Sequence, residues 1–404
     1  MTFSPRSWLR SRTSMPREVL VLTMVAFSVA VGFGVLVPVL PVFAKHFGVS
    51  NFAASAVVSA FAAMRLAISP FCGRIIGALG TRATMTIGIF IVALSSAAAG
   101  FAPTYGWLLV MRGLGGIGSA MFTVSAMTLL LASVPPTMRG RATGTFQTGF
   151  LIGGMGGPAL GALIAQIGLT APFHFYAIML LVAGSVAAML LRREQHEVES
   201  KGEPPRPLGE VIRDIRFRAA CMAGLSQGWN TLGMRNSLTP VFVTEALGRG
   251  TAWTGIAFAS SAVVQTISLQ PVGRFVDTVG RRPAIIGGAV VCGTCLITLP
   301  FTTSVWPFVA IMAVYGLGGA CLGTAPAASV GDASGGRGGT PVAIFSMFTD
   351  TGAIIGPLTA GFLADRFSWT VAYGSGTLLF VVVIALAAVM PPGVPKDRST
   401  PAEA

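Results

Sequence analysis

A ten-residue frame occurs twice in this chain, two hundred positions apart (273 − 73 = 200): Gly73–Arg82 reads GRIIGALGTR and Gly273–Arg282 reads GRFVDTVGRR. Both copies keep a glycine, an arginine, two apolar residues, a second glycine and a final arginine, and long apolar segments flank each copy. A long-period repeat that carries its hydropathy with it marks an internal duplication, so the chain reads as two copies of one membrane unit. Hydrophobic residues make up 53% and charged residues only 10%, which leaves too little polar surface to cover an aqueous globule. Crossing ~30 Å of hydrocarbon takes ~20 apolar residues in a helix, because lipid offers the backbone no hydrogen-bond partners.

On that rule there are twelve spans. They run roughly over Val19–Ala44, Phe52–Ile76, Ala83–Phe101, Gly106–Ala132, Ala142–Ile167 and Pro172–Leu191, then Ala219–Ala246, Thr251–Val272, Ala284–Thr302, Pro307–Val330, Pro341–Ala364 and Trp369–Met390. The expected fold is an all-α membrane protein whose twelve transmembrane helices form two pseudo-twofold-related six-helix bundles. The expected divisions are residues 1–191 for the first bundle, 192–218 for a charged, proline-bearing linker, and 219–404 for the second bundle and a short tail. Within the linker, Leu208–Ile215 has the pattern of a short amphipathic helix.

The net charge of +13 raises the question of a nucleic-acid partner, and its distribution answers it. Arg6, Arg10, Arg12 and Arg17 precede the first span, and Arg74, Arg82, Arg139, Arg141, Arg274, Arg281, Arg282, Arg337, Lys396 and Arg398 fall on the same side. Arg192, Arg193, Lys201, Arg206, Arg213, Arg216 and Arg218 fill the linker, whereas only Lys45, Arg249 and Arg366 lie on the other side. That asymmetry is the positive-inside pattern, which places both termini in the cytoplasm and makes the bilayer, not nucleic acid, the partner of the basic residues. Trp107, Trp253, Trp306 and Trp369 mark the opposite interface as an aromatic belt. The first apolar run is too long for a cleaved signal peptide. The excess of arginine over lysine points to a GC-rich bacterial genome, hence to the cytoplasmic (inner) membrane.

Four ionisable residues fall inside spans, Arg65, Arg112, Arg235 and Asp350, and each is costly there unless paired or facing water. Asp350 lies ten residues into its span, ~15 Å from the cytoplasmic start at 1.5 Å per residue, close to mid-depth. Burial disfavours its charge and a neighbouring arginine favours it, so alternating exposure can change how tightly it holds a proton. The alternative is a static pair with Arg235 or Arg65. Glu245, at the outer end of its span, suits a solvated interface. In the fifth span Gly153, Gly157 and Gly161 share one face and Pro158 adds a bend, which fits either a gating helix or ordinary close packing. The GLGG of the fourth span recurs as Gly316–Gly319 in the tenth, which sets Tyr315 where Arg112 stands.

Taken together, these features resemble the major facilitator superfamily, and most its twelve-span drug:proton antiporters, over about Val19–Met390. Gly273, Asp277, Gly280, Arg281 and Arg282 match the family's loop signature in its second-half copy. The first-half copy departs from it, with Gly77 for the aspartate and Thr81 for an arginine. Arg112 with Gly116 resembles the span-four motif linked to proton coupling. The glycine and proline order of span five matches the antiporter motif except at Ala162.

The resemblance implies export of small organic or amphipathic compounds, with protons exchanged, by a monomer without enzymatic activity. Asp350, Arg112 and Arg235 are the candidates for proton coupling. Arg65, Gln147, Trp229, Asn230, Met234 and Gln265 are candidates for the substrate cavity, although Trp229 also suits lipid-facing packing. Asp277 is the candidate latch, docking near the cytoplasmic start of span five while the inner gate is closed, where the helix dipole favours a carboxylate by ~0.3–1 kcal/mol. Arg281 and Arg282 are its expected partners or lipid anchors. A proton-coupled sugar or metabolite transporter and a non-transporting receptor or scaffold are the alternatives. No cofactor or metal is expected: Cys292 and Cys295 lie within one span, and His46, His174 and His196 are scattered. Gly113 opens GLGGIGSA within a helix and follows no strand, which excludes a dinucleotide loop.

Overall fold

The structure, a computed structural model, describes residues 16–134, 139–191, 207–334 and 340–391. The basic tail with Arg6, Arg10 and Arg12, the linker from Arg192 to Arg206, Arg337, and Lys396 with Arg398 lie outside the described residues. The first half comprises α1 (Arg17–Leu36), α2 (Leu40–Lys45), α3 (Asn51–Ile68), α4 (Cys72–Leu79), α5 (Thr81–Gly100), α6 (Tyr105–Ala132), α7 (Arg139–Ile164) and α8 (Ala171–Leu190). The second comprises α9 (Leu208–Arg213), α10 (Ile215–Gln227), a π-helical segment (Gly228–Met234), α11 (Arg235–Glu245), α12 (Thr251–Thr278), α13 (Arg281–Thr298), α14 (Val305–Ser334), α15 (Thr340–Arg366) and α16 (Trp369–Ala388). The helix expected near Leu208 is α9, which buries Val211 against Phe217, Ala220 and Val330.

Ten helical stretches among the described residues are long and apolar enough to cross a membrane. The other two spans are the glycine-rich α7 and Ile215–Glu245, which the π segment divides. The fold is therefore twelve transmembrane helices in two six-helix bundles, each with its own apolar core. Side-chain oxygens of Ser50, Thr104, Asp214 and Ser368 accept from the first free N–H groups of α3, α6, α10 and α16 and so fix where those helices begin.

The duplicated frame has a geometric cause in both halves. Gly80 (φ +83°) and Gly280 (φ +123°) turn the chain between α4 and α5 and between α12 and α13, a left-handed region that other residues rarely adopt. The final arginine of each copy ties that turn to the last helix of its own half. Arg82 Nη2 donates to the carbonyl of Ala188, and Arg282 Nη1 donates to that of Met390 at 3.2 Å.

The repeat holds through the bundles with the same offset. Gly88 faces the Gly118 carbonyl as Gly288 faces that of Gly318, and Gly116 sits on Phe61 and Arg65 as Gly316 sits on Ser261 and Gln265. This corrects the sequence alignment of the two GLGG runs, which is shifted by three residues, almost one helical turn. With an offset of 200, Met312 corresponds to Arg112, and Tyr315 corresponds to Gly115. Glycine runs align with themselves at several registers, and backbone contacts select the true one.

The halves meet along two seams, α3 with α15 and α7 with α12. At the face opposite the arginine-bearing turns, small residues bring these pairs together: Gly361 abuts the backbone of Asn51 and Phe52, and Gly255 abuts Pro158 and Ala162. Trp253 and Trp306 stack edge-on at the same face, 5.3 Å between ring centroids.

Candidate functional site

A cavity of about 540 Å³ lies between the halves, walled by α1, α3, α6, α7 and α8 on one side and α11 and α12 on the other. Its surface is aromatic and aliphatic, with Phe33, Phe61, Phe122, Phe146, Phe150 and Phe258 among the lining residues. Its larger polar side chains are Arg65, Gln147, Tyr176, Arg235, Asn236 and Gln265. An apolar wall with few convergent polar groups is the usual composition of a small-molecule site.

Beside this cavity, Asp350 on α15 is buried, 7% exposed, and accepts a hydrogen bond from Arg65 Nη2 on α3. The pair crosses the seam between halves. Of the two partners left open by the sequence, Arg65 is the one in place. One helical turn farther along α15, Ser59 Oγ donates to the Ile354 carbonyl at 2.8 Å across the same seam.

The other two intramembrane arginines have no carboxylate partner among the described residues. Arg112 is 3% exposed, with its guanidinium 4.6 Å from the centroid of Phe61. It borders a side pocket of about 30 Å³, walled also by Phe33, Val37, Phe61 and Asn236, that adjoins the main cavity. Arg235 lies 5.0 Å from the ring centroid of Phe258 and 5.7 Å from that of Tyr315, and its Nη1 donates to Ser261 Oγ at 3.3 Å. The buried Nε atoms of Arg112 and Arg235 have no hydrogen-bond partner.

Of the residues expected in the cavity, Arg65, Gln147 and Gln265 line it together with Arg235. Trp229, Asn230 and Met234 are placed elsewhere. Asn230 is fully buried and donates to Ser226 Oγ and to the Gly376 carbonyl, Met234 packs against Gly376 in the second-half core, and the backbone of Trp229 lies against Gly352 and Gly356 of α15. All three belong to the π-helical segment.

Gly153, Gly157 and Gly161 do share one face, and it packs on α1: an added Cβ would meet the backbone of Phe27, of Val31 and Gly34, and of Val35 in turn. Gly352 and Gly356 make the same kind of contact with Leu225 and Trp229. Around the duplicated turn, Gly273 has open space beside it and the Asp277 side chain is 74% exposed, its ion-pair partner among the described residues being Arg281 one turn on, at 3.6 Å. Among the described residues no ion pair or hydrogen bond joins Asp277 to α7. Arg281 instead directs its Nε to Asp332 Oδ2 at 3.0 Å, linking α13 to the end of α14.

Sequence reasoning passed over Asp332, Asp365 and Asn236. Asp365, at the end of α15, accepts from the backbone N–H groups of Asn51 (2.9 Å) and Phe52 (2.7 Å) at the start of α3. Glu245, expected at a solvated interface, pairs with Lys45 across the halves at 2.9 Å. A signal for Asp332 exists in the repeat: at the corresponding first-half positions, Thr81 stands for Arg281 and Ala132 for Asp332, so both partners are missing together.

Comparison with known proteins places these features in a family. The chain is 27% identical over 350 residues to Multidrug resistance protein 1 of Bacillus subtilis, covering 84% of this chain and 87% of that one. It is 23% identical over 359 residues to the quinolone resistance protein NorA of Staphylococcus aureus, covering 87% and 91%. A 27% identical stretch of 256 residues matches the synaptic vesicular amine transporter of Bos taurus, covering 62% of this chain and about half, 48%, of that protein. Among solved structures, a mutant of the nucleoside transporter NupG superposes with a TM-score of 0.72 at 14% identity, covering 92% of this chain and 99% of that one. A bacterial homologue of the human lysosomal transporter Spinster, inward-facing and occupied, gives 0.68 at 15% identity over 96% of both chains. The Major Facilitator Superfamily model matches residues 22–255 and again 231–404, and the chain belongs to that superfamily of membrane transporters.

Proposed function

We propose that this transporter exports small organic or amphipathic compounds across a bacterial cytoplasmic membrane in exchange for protons, by alternating access. The arginine-bearing turns and both termini face the cytoplasm in this reading. Two drug-resistance relatives, each matched over more than four-fifths of both chains, support efflux.

The observation that carries the proton step is the Arg65–Asp350 pair, a buried carboxylate bound to an arginine of the other half at the cavity wall. A proton arriving on an Asp350 carboxylate oxygen converts it to a neutral acid and removes its charge attraction for Arg65. One cross-half tie is then weakened at mid-depth, so protonation state and the relative position of the halves become linked. Loss of the proton restores the pair. Of the other polar ties, Ser59 with the Ile354 carbonyl lies one turn along the same seam, and Lys45–Glu245 and Asp365 with the start of α3 lie at the face opposite the arginine-bearing turns, while the exposed Asp277 pairs with Arg281 of its own half. In this reading the conformation is closed outward and open to the cytoplasm, ready to load substrate.

Proteoliposomes with an imposed pH gradient test the proposal, comparing wild type with Asp350→Asn for a panel of neutral and charged aromatic compounds. Gradient-driven accumulation is expected in the wild type, with a loss of at least about tenfold in the variant, given that its thermal unfolding shows it folded. Undiminished gradient-driven accumulation by Asp350→Asn would overturn the assignment of the proton site.

A further inference from the structure

The charge of the cavity wall is lopsided. Arg65 and Arg235 line the cavity, Arg112 lines the adjoining side pocket, and Asp350 pairs with Arg65 beside it, so the charges around the site sum to 3 − 1 = +2. Among the described residues, the ion pairs are Lys45–Glu245, Arg65–Asp350, Arg281–Asp277 and Arg281–Asp332, so Arg112 and Arg235 are both unpaired. Guanidinium groups stay protonated, and each presents five N–H donors and no acceptor. Arg235 uses one donor on Ser261, and ring contacts with Phe258 and Tyr315 hold its plane at the cavity wall. Its Nε is buried without a partner. Because Nε is enclosed by protein, a ligand acceptor in the cavity is met by the Nη donors of this half-buried side chain, and a hydrogen bond to a charged donor is among the stronger ones.

We infer that this cavity takes uncharged aromatic compounds bearing a carbonyl or similar hydrogen-bond acceptor, docks that acceptor on Arg235 and discriminates against organic cations. The aromatic body rests on Phe61, Phe146, Phe150 and Phe258, which share the cavity with Arg235. An ammonium group entering the same space meets excess positive charge in a low-dielectric surrounding, where like charges repel far more strongly than in water. Gln147, Gln265 and Asn236 provide amide oxygens, but none of the described lining residues is a carboxylate that could neutralise the cation.

The exclusion of anions rests on the proton-exchange reading above. An anion on Arg235 is held best when Asp350 is protonated and the wall is most positive, so proton and anion favour each other's binding and travel together. Exchange requires the opposite sign of coupling. A neutral acceptor has no such electrostatic bias toward co-transport, which makes it the class compatible with both the charge of the wall and exchange.

Three probes of one shape separate these possibilities: 2-naphthamide, 2-naphthoate and 2-naphthylmethylamine, titrated at pH 7 into the full chain in lipid nanodiscs by calorimetry, with no gradient. Naphthamide is expected to bind at least about tenfold more tightly than the amine, the ratio set by one hydrogen bond to a charged donor. In Arg235→Met that preference should fall below about threefold, with naphthamide itself at least about tenfold weaker. Amine binding equal to or tighter than amide binding, no binding of any probe to folded protein, or an unchanged preference in folded Arg235→Met would each overturn the inference. If Arg235→Met does not fold, the wild-type order decides alone. In pH-gradient proteoliposomes naphthamide should move against the proton flow, whereas naphthamide moving with the protons would overturn the neutral-substrate assignment. Equilibrium binding reads the charge filter and gradient-driven movement reads exchange, so failure of either is seen separately.

Discussion

Arg281 is mostly buried and divides its guanidinium between two carboxylates, and their surroundings decide which contact matters. The Asp332 side chain is 20% exposed and accepts a direct 3.0 Å hydrogen bond; that of Asp277 is 74% exposed and sits at 3.6 Å in solvent, where screening removes most of the attraction. Asp332→Asn is therefore expected to destabilise the second half by about 1–3 kcal/mol, the usual cost of weakening a partly buried charged hydrogen bond. Asp277→Asn should stay within about 0.5 kcal/mol. Thermal unfolding in detergent reads both, and equal effects would refute the ranking. The intramembrane charges were legible from residue type and depth alone, because few reasons exist to keep an aspartate at mid-bilayer. The choice of Arg65 over Arg235 as its partner was not legible, since it depends on how α3 of one half faces α15 of the other.

At the level of elements, glycine spacing within one helix was a sound guide to which face packs, as on α7, although it misled as an alignment between α6 and α14. On α7 a Cβ at Gly157 would stand 2.7 Å from both the Gly34 Cα and the Val31 carbonyl, rigid backbone that cannot yield as a side-chain tip does. A Cβ at Gly154, one residue off that face, would meet no neighbouring element within 4 Å. Gly157→Val should then cost about 1–3 kcal/mol or more by overpacking, while Gly154→Ala should be neutral or slightly stabilising through its better helix propensity. Comparing their melting temperatures in detergent tests the packing account, and a Gly157→Val protein as stable as wild type would sink it. Trp229, Asn230 and Met234, expected on the cavity wall from the family resemblance, are not among the residues lining it. They lie in a π-helical turn, whose i→i+5 bonding advances each residue by less than an α-helix does and so rotates every following side chain away from its expected face. Arg235, just after that turn, is the residue delivered to the cavity instead.

Across the whole molecule, the closed face is held by contacts that involve few side chains and much backbone. Asp365 reaches from the end of α15 to two free N–H groups at the start of α3, where the helix dipole adds to two charge-assisted hydrogen bonds, and Lys45–Glu245 lies at the same face. The duplication made the two-bundle plan readable, because hydropathy and the glycine turns repeat with it. The way the bundles close on each other was not readable, because one partner of the Asp365 contact is main chain and carries no residue signature. Both bonds form between halves and neither can persist once the halves part at that face, so removing the carboxylate should favour the opposite conformation. Spin labels at Ile167 and Phe367, exposed residues following α7 and α15 on that face, span the two halves. In lipid nanodiscs at constant pH, electron–electron distance measurements should show Asp365→Ala shifting population from the shorter to the longer separation. A contact of about 1–2 kcal/mol changes the ratio of the two states by roughly 5- to 30-fold. Asp365→Asn, which keeps an acceptor oxygen but loses the charge, should fall between wild type and alanine. Identical distance distributions in all three proteins would show that Asp365 merely caps a helix and has no part in holding the halves together.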